Sequence, residues 1–507
     1  MNISIQQVDL LTIPCDLLVV SLFEGVTDLG GATGAVDAAL NGDLSRMIRQ
    51  DAFKGKLGEM LSFPTFGRLK AKKVCVLGLG KRQVFDADAV RKAGGFMIRA
   101  AKSAKASRIA TILHGAGIAG LKPDMAACAL GEGMRLGAYE FREHFGTAER
   151  SKQRRAVKEI VIVESDPAKA RLANAGLAKA HILAEATIVA RDLVNTSPRH
   201  MHPAELAAAA RRLAKRGSGI GVRVFDRVAM ERMGMEAALA VADGSDHPPA
   251  FVHAVYRPTK RAKKRVVFVG KAITFDSGGL NVKTGDGMTN MKIDMAGAAS
   301  IIGCLSALAA LKIPVEVHGI FAALENMPSG HAYRPGDVVR AMNGMTIEIL
   351  NTDAEGRVTM ADSLSYAVRK IKPDAIVDLA TLTGAVIVAL GDDYAALMAN
   401  DRALARTLLV AARASGELLW ELPLPESYDE ALHSKVADMN NTGGRSAGVI
   451  KGGLFLKRFV GDMPWAHLDI AGPVFCEKET RPDIPYGGTG YGVRTLISYL
   501  EGLGESS

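Results

Sequence analysis

Five cysteines in 507 residues, with no CxxC pair among them, argue against a disulfide framework and against a thiolate zinc site. Cys15, Cys75, Cys128, Cys304 and Cys476 are scattered and odd in number, as reduced thiols in a cytosol-like compartment would be. The opening MNISIQQVDLLTIPCDLLVV lacks a basic n-region and is broken by Pro14 and Asp16, so no signal peptide is expected. No uninterrupted apolar run approaches the ~20 residues of a membrane-spanning helix. The chain lacks GxxxxGK[ST] and a well-placed GxGxxG, so GLGKR at Gly78–Arg82 is weak as a nucleotide motif. There is no tandem repeat, and no low-complexity tail longer than GESS. These absences predict a soluble, cytoplasmic globular protein with no membrane partner.

What is present is ordinary in bulk and uneven in distribution. Hydrophobic residues make up 48% and charged residues 23%, and the length predicts two domains. The net charge is +9. Residues 1–190 hold 27 Lys+Arg against 19 Asp+Glu, and residues 191–507 hold 36 against 35, so the basicity belongs to the first part. Its runs are RLKAKK (Arg68–Lys73) and RSKQRRAVK (Arg150–Lys158), with KRAKKR (Lys260–Arg265) later. Such runs are usually solvated faces, and attraction to nucleic acid is the minority reading.

Strands alternating with helices predict an α/β architecture in both halves. In residues 1–165, DLLVVSLF, KVCVLGLG, RIATIL and EIVIVES read as buried strands, with ADAVRKAGGFMIRAAKSA and MAACALGEGMRLGAYEF as amphipathic helices between them. Residues 167–193 are Ala-rich and read as one long connecting helix, stopped near Pro198 and Pro203, which makes 166–200 a linker. From 201 to 507 a larger domain with a mixed central sheet is expected. Its strand candidates are GVRVFD, AFVHAVY, RVVFVG, PVEVHGIFAAL, TIEIL and AIVDLATLTG, and its helix candidates are DMAGAASIIGCLSALAAL and TMADSLSYAVRK.

Within that second part, Asn351-Thr352-Asp353-Ala354-Glu355-Gly356-Arg357 places two acids and a guanidinium at alternate positions where a strand gives way to a helix. On an extended chain Asp353, Glu355 and Arg357 would project the same way. Taken alone, the motif reads as a polar loop with a local ion pair.

The segment Val266–Ala299 changes the balance. Lys271 follows the apolar run VVFVG, and Asp276 precedes Gly278 and Gly279, which permit a tight turn. Lys283 sits in a polar loop, and Asp294 lies near the start of an Ala-rich helix, where alone it would read as a helix cap. If both segments face one cleft, four carboxylates come together and need compensating positive charge. Two divalent cations bridged by carboxylates would supply it. Neither segment contains histidine, so the ligands would be oxygens with a deprotonated lysine amine as nitrogen donor, leaving Mn²⁺, Mg²⁺, Co²⁺ and Zn²⁺ open.

NTDAEGR resembles the signature heptad of the leucine aminopeptidase family, the cytosol aminopeptidases. VGKAITFDSGG, MKIDMAGAA, ENMPSGHAYRPGDVV, DLATLTGA, NNTGGRSAGVIKGG, WAHLDIAGP and GGTGYGVRTL resemble further family blocks, in the family's order, across most of residues 266–496. EGMRLGAYEF and RDLVNTSP are similar to segments upstream, while the first 130 residues are only loosely similar. The resemblance implies a metal-dependent aminopeptidase that removes leucine and other, mainly apolar, N-terminal residues from peptides. It implies that Lys271, Asp276, Asp294 and Glu355 hold one metal, and that Asp276, Asp353 (with its backbone carbonyl) and Glu355 hold another. Lys283 would polarise the scissile carbonyl and stabilise its oxyanion. Arg357 would grip a bicarbonate, the proton acceptor for the attacking water. Met291, Thr381, Leu382, Gly384 and Ala471 would contact substrate, and the chain would assemble as a homohexamer of two stacked trimers.

The sequence departs from the family pattern at Ala272, Thr284, Val358 and Met360. None of these stands at a ligand position, but Ala272 and Thr284 flank two of the lysines, which bears on loop geometry and rate. The alternative from another class is a DNA-binding accessory role through the basic first part.

Overall fold

A computed structural model describes residues 1–116, 120–148, 156–215 and 217–505. Most of the basic run Arg150–Lys158 lies outside the described residues. The chain divides into two compact units, residues 1–185 with 478–485 and residues 186–477 with 486–507.

In the first unit β1 (Asn2–Gln6), β2 (Cys15–Leu22), β3 (Met60–Pro64), β4 (Ala71–Gly78), β5 (Arg108–Ile112) and β6 (Glu159–Val163) form one sheet in the order β1-β6-β5-β2-β4-β3. All pairings are parallel except β3 with β4 at the edge. Leu17 to Val20 are fully buried, as expected of a parallel strand covered on both faces. Helices Ala87–Ala104 and Pro123–Ala138 match the two amphipathic stretches. Asp86 caps the first by accepting from the Ala89 N–H. The excursion Lys478–Pro485 from near the C-terminus completes this unit: Arg481 pairs with Asp88 and with Asp483, each at 3.0 Å. Local sequence could not reveal a clamp between residues so far apart.

The predicted long helix runs Pro167–Asn195, with the division between the units falling within it. A second unit follows, built on β7 (Ile220–Phe225), β8 (Ala250–Tyr256), β9 (Arg265–Gly270), β10 (Ile273–Asp276), β11 (Glu316–Asn326), β12 (Val338–Arg340), β13 (Thr346–Glu348), β14 (Ala375–Ala380), β15 (Tyr394–Ala399), β16 (Leu418–Glu421), β17 (Met439–Asn440) and β18 (Trp465–Asp469). Nine of these make the central mixed sheet, ordered β16-β15-β18-β14-β9-β11-β8-β7, with β10 paired to β11. Its middle strands β18, β14, β9 and β11 are parallel. Helix Ala296–Leu311 is apolar on nearly every face because it is enclosed. The stretch Gly285–Leu311 has the length and hydropathy of a membrane span, yet 78% of its apolar window is buried inside the fold.

One expectation is corrected. TIEIL does not run along the central sheet into the heptad. Its strand ends at Glu348 and belongs to a separate small sheet, β12-β13-β17. The chain then turns, and the helix Glu355–Tyr366 begins at Glu355 itself. Glu355 and Arg357 are therefore two positions apart on a helix, about 200° around its axis, rather than on one face of a strand.

Candidate active site

Parallel strands direct their carboxyl ends to one edge of the sheet, where loops converge. Lys271 follows β9, Asp276 ends β10, Asn326 ends β11, Thr381 follows β14, and Ala471 lies two residues beyond β18. Asp294 arrives on the 3₁₀ turn Met291–Met295 that leads into helix Ala296–Leu311, and Asp353 and Glu355 come from the turn and first residue of helix Glu355–Tyr366. The chain thus gathers at one edge residues that lie more than a hundred positions apart.

The distances are short. Lys271 Nζ lies 2.8 Å from Asp294 Oδ2, 2.7 Å from Glu355 Oε1 and 3.0 Å from the Thr381 carbonyl oxygen. Lys283 Nζ lies 2.7 Å from both Asp276 Oδ2 and Asp353 Oδ1. Carboxylate oxygens of Asp276, Asp353 and Glu355 stand within 4.8 Å of one another. Asp294 does not cap its helix; its Oδ1 accepts from Thr381 Oγ1 at 2.7 Å.

Two glycines make this closeness sterically feasible. Gly278 has φ +89°, and a Cβ there would stand 2.3 Å from the Asn281 carbonyl oxygen and 2.8 Å from Asp353 Oδ1. A Cβ on Gly356 would fall 2.4 Å from Lys271 Cε. A side chain at Gly356 would have to displace the end of Lys271 from its place between Asp294 and Glu355.

Four carboxylates face two ammonium groups in a site where Lys271, Asp276, Asp294 and Glu355 are buried. Burial, with Asp276 close by, pushes the Glu355 carboxyl up to about 8. Burial likewise raises Asp294 and Asp353. For the lysines burial works the other way, but Asp294, Glu355 and Asp276 outweigh it at Lys271, and Asp276, Glu355, Asp294 and Asp353 outweigh it at Lys283, so both are raised. The acids thus exceed the cations that share their cleft. Glu355 Oε2 is buried with no hydrogen-bond partner. A set of converging carboxylate oxygens with excess negative charge and an unsatisfied buried oxygen fits divalent cations.

Arg357 is buried, and burial lowers its pKa, opposed by Glu355 and Asp469. Its Nη1 donates to the Asn441 carbonyl oxygen at 3.1 Å rather than to either acid of the heptad, so the local ion pair is not what holds it. Its Nε is buried without a partner.

Two of the five residues expected at the substrate, Leu382 and Ala471, share an acceptor. The Leu382 N–H and the Ala471 N–H donate to Asp469 Oδ1 at 3.1 and 3.4 Å, and Thr383 Oγ1 donates to Asp469 Oδ2 at 2.7 Å. Gly384 is exposed at the start of helix Ala385–Leu390, and Met291 is partly exposed on its 3₁₀ turn. Asp469 was not anticipated from the sequence, nor were Asn326 and Asn441. Asn326 Nδ2 bonds both Asp276 and the Thr352 carbonyl oxygen, and Asn441 Oδ1 accepts from the Leu350 and Asn351 N–H groups. Each stands in a block that resembles the family (ENMPSG, NNTGGRSAG, WAHLDIAGP), but only the folded geometry tells which member of the block bonds to the site.

Comparison with known proteins gives consistent results. Residues 188–497 match the family model described as the catalytic domain of the cytosol aminopeptidase family, and residues 19–144 match that family's N-terminal domain. A probable cytosol aminopeptidase of Geobacter sulfurreducens is 42% identical over 504 residues, 99% of each chain. One from Cyanothece sp. is 42% identical over 488 residues, 96% of this chain and 97% of the relative. Among solved structures, a mutant of tomato leucine aminopeptidase superposes with a TM-score of 0.87 at 36% identity, covering 99% of this chain and 96% of that one. The bottromycin maturation enzyme BotP in complex with Mn superposes with a TM-score of 0.84 at 36% identity, covering 97% and 100%.

Proposed function

The chain belongs to the cytosol aminopeptidase family, a metal-dependent aminopeptidase family, and from that premise we propose that it removes leucine and other, mainly apolar, N-terminal residues from peptides at a two-metal site. The observation that carries this reading is the convergence of Asp276, Asp353 and Glu355 oxygens within 4.8 Å, with Asp294 and two lysines against them. Asp276, Asp294 and Glu355 would hold one ion with Lys271, whose ammonium must give up a proton to become a ligand, and Asp276, Asp353 and Glu355 would hold the other. Mn²⁺ and Zn²⁺ are the first candidates, followed by Co²⁺ and Mg²⁺. When bound, the ions supply charge that anchors the free α-amine of the peptide and activates the attacking water.

The chain's own groups do the rest. Lys283, whose ammonium lies 2.7 Å from Asp276 Oδ2 and Asp353 Oδ1, would stabilise negative charge developing on the scissile carbonyl oxygen. Arg357, fixed through Nη1 by Asn441 and with its buried Nε unpartnered, would hold a bicarbonate as proton acceptor. Asp469 fixes the loops that carry Leu382 and Ala471, and these with Met291 would contact the substrate side chain. Thr381 and Gly384 would contribute backbone contacts there.

Cytoplasmic location and a homohexamer belong to the same proposal. Relatives named as cytosol aminopeptidases support the first. The homohexamer is what membership of the family implies. Beyond the basic excess of the first part, no structural observation among the described residues favours the DNA role. Arg68 is paired with Asp43, Lys72 with Asp16 at 2.8 Å, and Arg265 with Glu316 at 2.6 Å, as ordinary solvated faces are.

The test compares unblocked and N-acetylated aminoacyl chromogens with chelator-stripped and Mn²⁺-, Zn²⁺- or Co²⁺-refilled protein. Cleavage should require both a free amine and a divalent ion. Full activity after verified metal removal would overturn the reading.

A further inference from the structure

A second group of metal-type donors lies apart from the acidic cluster. His202, in the extended residue before helix Pro203–Arg211, and His247, in the loop after helix Glu236–Ala242, converge on Glu325, the penultimate residue of β11. His202 Nδ1 lies 3.9 Å from Glu325 Oε1, and His247 Nδ1 lies 3.5 Å from Glu325 Oε2. The three ligand atoms fall within 4.8 Å of one another. Both Nδ1 atoms are buried and have no hydrogen-bond partner. The rings lie 3.9 Å apart between centroids, tilted by 38°.

The spacing is wrong for hydrogen bonds and close to right for chelation. A ring N–H bonded to a carboxylate would stand at about 2.8 Å. Two ligands each ~2.0–2.2 Å from a tetrahedral ion stand roughly 3.3–3.6 Å apart, and the two His–Glu325 separations, one to each carboxylate oxygen, lie within a few tenths of an ångström of that span. An ion-pair alternative, with both imidazoles protonated, would set two cations face to face at 3.9 Å. Ser245 Oγ donates to Glu325 Oε2 at 2.6 Å and so orients the carboxylate, as partners of metal ligands commonly do.

We infer that His202, His247 and Glu325 form a separate site for a divalent ion of the zinc class. Two imidazole nitrogens and one carboxylate favour Zn²⁺, Co²⁺ or Ni²⁺ over Mg²⁺ or Ca²⁺. The rings are 31% and 41% exposed, which gives the ion an entry path and water a fourth position. The role is structural. Glu325 and Asn326 are consecutive on one strand and so project to opposite faces. An ion at Glu325 pins to two loops the strand end whose other face holds Asp276 through Asn326.

The experiment exploits the lack of histidine in the acidic cluster. Full-length protein and the His202→Ala/His247→Ala variant are stripped with chelator, refilled with Zn²⁺ and freed of excess by gel filtration. Zinc per chain is then measured by mass spectrometry, and the zinc environment by X-ray absorption. The wild type should hold about one ion more per chain than the variant, with imidazole scattering that the variant loses. Equal zinc content with no imidazole scattering in either protein would overturn the inference. That difference does not depend on how many ions the acidic cluster takes, so failure of the two-metal reading would leave it measurable. If the double variant does not fold, His247→Ala alone, on a partly exposed loop, gives the same comparison.

Discussion

Asn326 Nδ2 donates to Asp276 Oδ1 at 2.8 Å, so an amide at the end of one strand sets the carboxylate at the end of its neighbour. Asp276 is assigned to both ions in the proposed site, and a carboxylate that must face two cations has to be held in one rotamer. Asn326→Leu should keep the fold and weaken metal binding by roughly 10–100-fold. Chelator competition on the refilled variant measures this. Unchanged affinity would show that Asp276 orients itself.

Lys283 and Glu355 should fail in different ways. Lys283→Ala removes a charge from the developing oxyanion and should lower kcat by roughly 10²–10³ while metal content stays intact. Glu355→Ala removes an oxygen donor assigned to both ions and should lose metal. Metal analysis beside kinetics separates the two, and the reverse pattern would invert the assignment.

Arg357→Ala should lower turnover with both ions retained, and should abolish most of any stimulation by added bicarbonate. The buried Nε without a partner motivates this. Equal bicarbonate response in wild type and variant would show that the guanidinium serves only to hold the Asn441 segment through its 3.1 Å bond.

Gly356→Ala tests the close approach of helix and lysine. In an exposed helix interior this change stabilises by up to about 1 kcal/mol. Here the new methyl would meet Lys271 Cε at 2.4 Å, so the sign should reverse, with a lower thermal midpoint and a displaced Lys271. A raised midpoint with full activity would show that the site has slack.

His114, in the first unit, gives the pH dependence. Burial lowers its pKa from 6.5 to about 4, and its ring bonds Ser21 Oγ at 2.9 Å and Thr111 Oγ1 at 2.8 Å. Between those values the unfolded chain binds a proton that the folded chain does not. Its contribution is therefore complete above about pH 6.5 and is lost as pH falls toward 4, by on the order of 3 kcal/mol. Urea midpoints of wild type and His114→Gln at pH 7 and pH 4.5 should converge at the lower pH. A constant gap would assign His114 no linkage.

Local pattern by itself determined most of the elements. AFVHAVY and RVVFVG are strands over the predicted spans, and ADAVRKAGGFMIRAAKSA is a helix over its predicted span, because burial on one or both faces leaves a periodic trace in the residues themselves. The heptad and the blocks around it were enough to pick out Lys271, Asp276, Asp294, Asp353 and Glu355 as candidates, since four acids near strand and helix ends require a cation wherever they meet. Tertiary structure decided what lies between those residues. It put Glu355 on a helix rather than a strand, because TIEIL pairs in a small separate sheet and the chain must turn to reach the cleft. It chose Asn326, Asn441 and Asp469 as the groups that hold the site, since hydrogen bonds across tens of residues leave no spacing to read. It also brought His202, His247 and Glu325 together from two loops and a strand end, and drew Arg481 back to Asp88. Periodicity records which face of an element is buried; which elements meet there depends on the order in which the sheet assembles its strands.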